Sequence, residues 1–243
     1  MRMLTFAKRN TKEFLRDPLT LIFGIGFPVI LLLLLSAIGA NVPVDLFNIE
    51  TLTPGITVFG LSFISLFSAT IISKDRQNSF LQRLYTTPLT PADFILGYTL
   101  PFIPLSVVQC IVCYLVAVVL GFDITVNILY SVLLIIPVSI LYIALGLLCG
   151  SILTDKQVGG ICGALLTNLS AWISGIWFDL SLMGDVFKKI AYVLPFVHAV
   201  ELERAAIVGD FSNILPHLCI VLLYAAILLI FAIIFFLRQM KKQ

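Results

Sequence analysis

Six long apolar segments constrain the fold of this chain more than any other feature. Each has about 20 residues or more, the length a helix needs to cross a hydrocarbon core of roughly 30 Å, and none contains Asp, Glu, Lys or Arg. Only 12% of the residues are charged and 60% are hydrophobic, which a soluble domain could not bury. The sequence therefore predicts an all-α polytopic membrane protein with six transmembrane helices in a single domain over residues 1–243. The predicted spans are Leu19–Ile38, Leu52–Ser73, Phe94–Leu120, Ile128–Gly150, Val158–Trp177 and Ile214–Leu237.

Residues 1–17 have the pattern of an amphipathic helix. At about 100° per residue, the apolar and basic positions fall on separate arcs. Such a helix lies in the headgroup plane with its cations toward anionic lipid, and Asp17-Pro18 is expected to interrupt it. A basic flank that only fixes topology is the alternative. The apolar arc holds Met3, Leu4, Ala7, Thr11, Phe14 and Leu15, and the basic arc holds Arg2, Lys8, Arg9, Lys12 and Arg16.

The distribution of basic residues predicts the orientation in the membrane. With the N-terminus in the cytoplasm, 12 of the 15 Lys and Arg residues lie inside and only Lys188, Lys189 and Arg204 lie outside. Positive loops face the cytoplasm, so both termini are predicted to be cytoplasmic, in an inner or plasma membrane. The outer loop from Phe178 to Asn213 carries two segments around Pro195 that are too short and too charged to span. We expect them to form re-entrant or interfacial helices on the outer face.

A polar island, residues 74–91, separates the second and third spans on the cytoplasmic side. Four apolar residues recur there at three- and four-residue spacing between polar ones, which predicts a short helix that ends before Pro88. A helix with one apolar face can dock in a groove of a partner protein. An ordinary interfacial loop helix without a partner is equally compatible with the pattern. The apolar residues are Phe80, Leu81, Leu84 and Tyr85.

Several classes of chemistry lack their sequence signals. There is no phosphate-binding loop of the G-x-x-x-x-G-K-[ST] type, no Ser-His-Asp arrangement and no cluster with metal-ligand spacing, and His198 and His217 are far apart in the sequence. The net charge of +2 does not favour nucleic acid. Carboxylates inside spans mark proton or ion coupling, and the predicted spans have none. These features favour a non-catalytic subunit energised from outside the bilayer, with a self-sufficient channel or facilitator as the alternative and an intramembrane enzyme as a remote one.

Three stretches resemble the ABC-2 type transporter permeases, the membrane subunits of a class of ABC exporters. The first is Arg9–Pro18, which leads into a span containing Phe27-Pro28. The second is Asn78–Leu84 followed by Thr87-Pro88-Leu89-Thr90, which resembles the family's Gly-Thr-Leu-x-x-Leu…Pro-Leu-Ser pattern with Asn78 in place of the glycine. The third resembles a Ser-Gly turn and a Pro-Leu…Arg signature before the last span. It comprises Ser174–Phe178 and Leu194–Arg204.

The resemblance implies partners and the residues that contact them. A cytoplasmic coupling helix in the polar island would sit in a groove of a separate ATP-binding subunit, with a smaller second contact at Thr154-Asp155-Lys156. That subunit would bind ATP and Mg²⁺, and this chain would hold no cofactor and no metal. A second permease chain, identical or homologous, would complete a dimer. The residues implied in coupling are Asp75, Arg76, Phe80, Leu81, Arg83, Leu84, Tyr85 and Asp155.

The resemblance also places a substrate path between the two permeases, along the second and fifth spans. The apolar and aromatic character of these spans favours export of a hydrophobic or amphipathic substrate such as a drug, an antibiotic, a lipid or a peptide. Helix packing is the competing interpretation for each of these residues, which are Phe59, Ser62, Phe63, Phe67, Asn168 and Trp172. A lock or a gate near the outer mouth is expected from Pro195, Glu201, Glu203 and Arg204.

Overall fold

The computed structural model describes residues 2–41, 47–78 and 90–240, and in these ranges the regular elements are helices. The predicted all-helical class is thereby confirmed. One helix, α7, combines three consecutive stretches, Asp155–Val158, the π-helical Gly159–Leu166 and Thr167–Ile173. The others are α1 Arg2–Leu15, α2 Pro18–Gly39, α3 Ile49–Gln77, α4 Pro91–Thr99, α5 Phe102–Val119, α6 Asn127–Ile152, α8 Asp185–Val193, α9 Pro195–Val208 and α10 Phe211–Met240.

Five helical segments in the described part of the chain are long and apolar enough to cross a membrane. They are α2, α3, α4 together with α5, α6 and α10, and each overlaps one predicted span. The remaining predicted span, Val158–Trp177, corresponds to α7, which is not among these five. The count of six spans therefore stays a prediction.

The N-terminal helix is interrupted at Asp17-Pro18, as predicted. Helix α1 ends at Leu15, and Asp17 caps α2 by accepting hydrogen bonds from the backbone N–H of Leu19 and the hydroxyl of Thr20, at 3.1 and 3.0 Å. Proline suits the first position of a helix because it has no N–H to satisfy there. The amphipathic helix is thus an element separate from the first apolar span.

Helix α3 is the centre of the bundle. Of its most apolar 18-residue window, 89% is buried, against 22% for α2 and for α10. Small residues allow this close packing: a Cβ atom on Gly146 of α6 would lie 2.3 Å from the carbonyl oxygen of Ser65. A Cβ atom on Gly60 of α3 would lie 2.3 Å from Nε2 of Gln109. Such close approach at small residues is typical of helices that associate in membranes.

The segment before the last span folds as two helices separated at Pro195, as predicted. Helix α8 ends at Val193, and Pro195 is the first residue of α9. Helix α9 ends at Val208 and is followed by Gly209, whose φ of +79° lies in the left-handed region that favours glycine. The position of these two helices relative to a bilayer stays a prediction.

The bundle has two ends, which we call the α1 face and the α9 face. The α1 face comprises α1, the last turn of α3, α4 and the start of α7; the α9 face comprises α8, α9 and the N-terminal ends of α3 and α6. Helix α6 joins them over about 39 Å. At one end, Asn127 donates to the carbonyl of Ile207 in α9 at 2.8 Å, and at the other, Arg76 bonds the carbonyl of Leu153.

Candidate functional site

A buried carboxylate organises the α1 face. Asp75 lies in the last turn of α3, with its side chain 4% exposed. Arg9 of α1 donates from Nη1 to Oδ2 at 2.5 Å and from Nη2 to Oδ1 at 2.7 Å, and the hydroxyl of Tyr98 in α4 donates to Oδ2 at 2.8 Å. Three helices therefore meet on one side chain. We call these three residues the Asp75 clamp.

The electrostatics of the Asp75 clamp keep Arg9 charged. Burial lowers the pKa of Arg9, but the hydrogen bonds to Asp75 and the nearby carboxylates raise it, and the net direction is upward. Arg9 also pairs with Glu13 one turn along α1, at 2.8 Å from Nη2 to Oε2. Burial in turn raises the pKa of Glu13 more than the Arg9 charge lowers it. Since removal of one partner from a buried ion pair leaves the other uncompensated, the clamp fixes α1 firmly onto α3.

A hydrogen bond from α1 to α4 satisfies a backbone carbonyl that a proline leaves unpaired within its own helix. Pro101 has no N–H to donate to the carbonyl of Gly97 four residues earlier. Asn10, whose side chain is buried, donates from Nδ2 to that carbonyl at 2.9 Å. Phe6 also packs on Gly97, where a Cβ atom would lie 2.2 Å from its ring. Sequence reasoning missed Arg9 and Tyr98 as clamp residues. It also missed the bond from Asn10, although the unpaired carbonyl four residues before Pro101 was a readable signal for a neighbouring donor.

Arg76 joins the two predicted cytoplasmic contact regions. Its guanidinium donates to the carbonyls of Ser151 and Leu153 at the C-terminal end of α6. Ser73 donates to Oδ1 of Asp155 at 3.4 Å, where α7 begins. Cations are favourable beside the unpaired carbonyls of a helix C-terminus. The structure thus brings Asp75, Arg76 and Asp155 together at one end of the bundle.

Most of the predicted coupling helix lies outside the described residues. The described chain stops at Asn78 and resumes at Thr90, where a reciprocal capping box with Asp93 begins α4. Helix α3 itself continues through Lys74–Gln77, past the predicted end of its span at Ser73. The helix consequently includes Asp75, which lies beyond the predicted span, so the expectation of spans without carboxylates stays a prediction. The predicted coupling residues outside the described ranges are Phe80, Leu81, Arg83, Leu84 and Tyr85.

At the α9 face, an arginine connects α9 to the turn after α7. Arg204 pairs with Glu201 at 3.3 Å and donates from Nη2 to the carbonyl of Gly175 at 3.1 Å. Gly175 has a φ of +72°, which favours glycine in the Ser-Gly turn. The two halves of the third motif, separate in sequence, therefore meet in space. Pro195 lies at the other end of α9, as its buried first residue.

Glu203 is set apart from this ion pair. Its side chain is fully buried, and Oε2 accepts a hydrogen bond from the hydroxyl of Ser131, which also lies 2.8 Å from the hydroxyl of Tyr114. Among the described residues, Oε1 has no hydrogen-bond partner. Burial raises the pKa of Glu203 to about 8, although the bond from Ser131 lowers it. The expected lock at the outer mouth thus has no ion pair of Glu203 among the described residues. Glu203 is instead a buried carboxyl group held in its neutral form near neutral pH.

The two histidines, 19 residues apart in the sequence, are in contact in the fold. Nδ1 of His198 in α9 lies 2.8 Å from Nδ1 of His217 in α10, and Nε2 of His198 lies 2.9 Å from the carbonyl oxygen of Tyr192. A carbonyl only accepts, so Nε2 of His198 carries a proton. In the neutral pair His217 then donates from Nδ1. In the described ranges no third His, Cys, Asp or Glu joins them to form a metal-binding group.

The nominated residues of α3 lie inside the bundle. Phe59, Phe63 and Phe67 are 6–8% exposed, and Ser62 is fully buried, 2.9 Å from the hydroxyl of Ser170 in α7. Phe59 packs edge-on against Phe63 with ring centres 5.8 Å apart. Within one chain these contacts are helix packing, and a role in lining a substrate path stays a prediction.

The nominated residues of α7 lie on its outside. Gly160, Ala164, Asn168 and Trp172 recur every four residues and are all exposed. Trp172 keeps 54% of its surface accessible, and Asn168 donates from Nδ2 to the carbonyl of Ala164 at 2.8 Å. One face of α7 thus presents small residues, an amide and an indole to whatever surrounds the chain.

Comparison with known proteins identifies the family. The sequence model described as ABC-2 type transporter matches residues 1–208. The transport permease ycf38 of Porphyra purpurea is 35% identical over 112 residues, which cover 44% of this chain and 38% of that protein. The ycf38 of Cyanophora paradoxa is 33% identical over 158 residues, which cover 60% of this chain and 54% of that protein. The chain thus matches about half or less of the length of these two relatives. Nodulation protein J of Sinorhizobium fredii (strain NBRC 101917 / NGR234) is 24% identical over 212 residues, which cover 85% of this chain and 78% of that protein. The resemblance drawn from the three motifs is confirmed: this multi-pass membrane protein belongs to the ABC-2 type transporter family.

Proposed function

We propose that this chain is the permease subunit of an ATP-driven exporter and that a separate ATP-binding subunit docks on its α1 face. ATP and Mg²⁺ are bound by that subunit. The α1 face lies in the cytoplasm with both chain termini, as the distribution of basic residues predicts. Helix α7 serves as the sixth span, and α8 and α9 lie at the outer side.

The observation that carries this proposal is the mechanical continuity of the α1 face. The Asp75 clamp holds α1 and α4 on the last turn of α3, and Arg76 holds the same turn on the end of α6. The last turn of α3 contains the first residues of the polar island, and the rest of the island follows it in the sequence from Asn78 onward. A force applied to the island therefore acts on a rigid junction. The 29-residue α3 extends from this junction about 43 Å toward the α9 face.

Transport by the reconstituted complex tests the proposal. The tagged chain is purified with its co-purifying ATP-binding subunit, placed in liposomes and assayed for ATP-dependent movement of a lipophilic dye and of a fluorescent lipid analogue. We expect transport with ATP and none with a non-hydrolysable analogue. Dye movement through the chain alone, without an ATP-binding subunit, would instead support a channel or facilitator.

Arg76→Gln is expected to uncouple the complex. The substitution removes charge-assisted hydrogen bonds to the end of α6, each worth about 1.5–3 kcal/mol, while leaving the rest of the polar island, from Gln77 to Pro91, unchanged in sequence. Transport per ATP hydrolysed should fall roughly tenfold in the liposome assay. Lys188→Gln, which removes an exposed cation from α8, is the matched control and should leave the ratio unchanged. Equal coupling ratios in both variants would argue against a role of the junction in transmission.

A second permease chain is proposed to cover the exposed face of α7. Small residues four positions apart let helix backbones approach closely, and an amide favours a polar partner in hydrocarbon. Gly160, Ala164 and Asn168 supply both features on one line. The substrate path would then lie between the two chains, beside α7. Its apolar lining suits a hydrophobic or amphipathic substrate.

Ala164→Trp should disrupt this dimer because the larger side chain prevents close approach of the two α7 helices. We expect the dimer to become predominantly monomer in mass measurements of the detergent-solubilised permease. Leu223→Trp, at a position of α10 that is 58% exposed, is the control and should remain dimeric. A dimer unaffected by Ala164→Trp would place the interface elsewhere.

A further inference from the structure

An apolar crevice of about 400 Å³ separates α1 from the spans behind it. One wall is the apolar arc of α1, including Leu4 and Phe14, and the other is formed by α2 and the start of α5, including Val108. The one hydroxyl on the α1 wall, that of Thr11, is bonded to the carbonyl of Ala7 at 2.9 Å. Leu4 and Val108 are 61% and 47% exposed at the rim. The crevice therefore offers its occupant hydrocarbon contacts alone.

The crevice is built into the fold. Pro101 separates α4 from α5, and the bond from Asn10 to Gly97 holds α1 against α4 at that break. The Asp75 clamp fixes α1 from its other side through Arg9. Phe14 of α1 also stacks on Phe102 of α5, with ring centres 5.5 Å apart, so these contacts together fix the position of α1 beside α5. A chain-like apolar molecule of the surrounding membrane is a suitable occupant, because it satisfies the walls without any polar partner.

A row of cations borders the crevice on the same helix. Lys8, Lys12 and Arg16 are exposed and have no ion-pair partner among the described residues, in contrast to Arg9. At about 100° per residue, Lys8 lies about 20° around the helix from Leu15, which lines the crevice. An anion held by Lys8 and Lys12 would therefore sit at the mouth of the crevice. Apolar walls below a row of cations match the two parts of an acidic lipid.

We propose that this crevice binds one anionic glycerophospholipid of the cytoplasmic leaflet, with an acyl chain between α1 and α5 and the phosphate at Lys8 and Lys12. The assignment to the cytoplasmic leaflet rests on the orientation in the proposed function. The bound lipid fills the gap behind α1 and so supports the helix that carries Arg9 to Asp75. Anionic lipid is thereby a structural ligand of the proposed coupling junction.

Photo-crosslinking in nanodiscs tests the site on the full-length chain without any ATP-binding subunit. The probes are phosphatidylglycerol and phosphatidylcholine with a diazirine in the acyl chain, and labelled peptides are mapped by mass spectrometry. We expect phosphatidylglycerol to label the peptides that contain Leu4–Leu15 and Leu100–Val108. Leu4→Trp and Val108→Trp fill the crevice from opposite, exposed positions, so both should lose this label without loss of folded protein.

Substitutions of the basic residues at the mouth of the crevice test whether binding requires an anionic headgroup. Each basic side chain near an anionic headgroup favours binding roughly fivefold, so Lys8→Gln combined with Lys12→Gln should lower the preference for phosphatidylglycerol over phosphatidylcholine about 30-fold. Lys156→Gln, an exposed cation on the same face but outside the crevice, should leave the preference unchanged. Labelling that persists in both tryptophan variants, or equal labelling by the two lipids in the unmodified chain, would overturn the proposal. Because the assay involves no ATP, its failure would leave the exporter proposal standing.

Discussion

Replacing Asp75 with alanine should release α1 from the bundle at a cost of roughly 2–4 kcal/mol. Removing one partner of a fully buried ion pair costs about 3–5 kcal/mol, because the other charge is left uncompensated. Here Asp75 is almost fully buried, whereas the side chain of Arg9 is 35% exposed and can be partly rehydrated. The variant also leaves the hydroxyl of Tyr98 without its acceptor on Asp75. Thermal unfolding in detergent should show the loss of stability, and tryptic cleavage after Lys8 and Lys12 should become faster.

Two further variants separate the Asp75 clamp from a general charge effect. Glu13→Gln removes the more exposed partner of Arg9 and should cost less than about 1 kcal/mol. Arg9→Met combined with Asp75→Leu replaces the pair by apolar side chains and should recover much of the stability lost in either single variant. Stability of Asp75→Ala equal to that of Glu13→Gln would show that the buried pair does not hold α1.

The double replacement also addresses function. If the Asp75 clamp serves only to hold α1 on α3, an apolar replacement that restores stability should restore ATP-dependent transport as well. If the ion pair has to open and close during the transport cycle, the double variant should regain stability but not transport. The reason is that its apolar contact cannot exchange hydrogen-bond partners as the ion pair does. The proposed exporter mechanism is compatible with either outcome, and the pair of measurements decides between them.

Hydropathy was sufficient to predict much of this fold. A run of uncharged apolar residues must become a helix in a bilayer, because its backbone groups have no other partners, and the observed α2, α3, α6 and α10 each cover their predicted span. Proline and Asp-Pro signals placed the breaks at Pro18 and Pro195 for local reasons that need no tertiary contact. A difference is that α3 continues without a break to Gln77, where the buried Asp75 is bonded to α1 and α4.

The contacts of the α1 face and the α9 face could not be predicted in the same way. Arg9 and Asp75 are separated by 66 residues, and His198 and His217 belong to helices whose rotation about their own axes hydropathy does not specify. Phe59 and Phe63 are four residues apart and pack on each other on one face of α3. Since every face of α3 is covered by other helices, however, a shared face there does not by itself indicate a surface.

The buried carboxyl group of Glu203 should make the stability of the protein depend on pH. Its pKa is raised from the ordinary 4.5 to about 8 because burial disfavours the carboxylate. A group with a higher pKa in the folded state binds its proton more tightly there, so its contribution is fully present below pH 4.5 and is lost as pH rises through 8. The difference of pKa corresponds to a contribution on the order of 5 kcal/mol.

Glu203→Gln isolates this contribution, because the amide keeps the shape and an acceptor for Ser131 but cannot ionise. Unfolding of the original protein followed between pH 5 and pH 9 should show stability falling with pH, and the variant should show a flatter profile and be the more stable of the two at pH 9. Glu201→Gln, in the more exposed pair with Arg204, is the control and should keep the original slope. Parallel profiles of the original protein and Glu203→Gln would mean that Glu203 remains ionised in the folded state. In that case the group contributes a buried charge at the α9 face, and its oxygen without a partner would require a cation or ordered water that binds on folding.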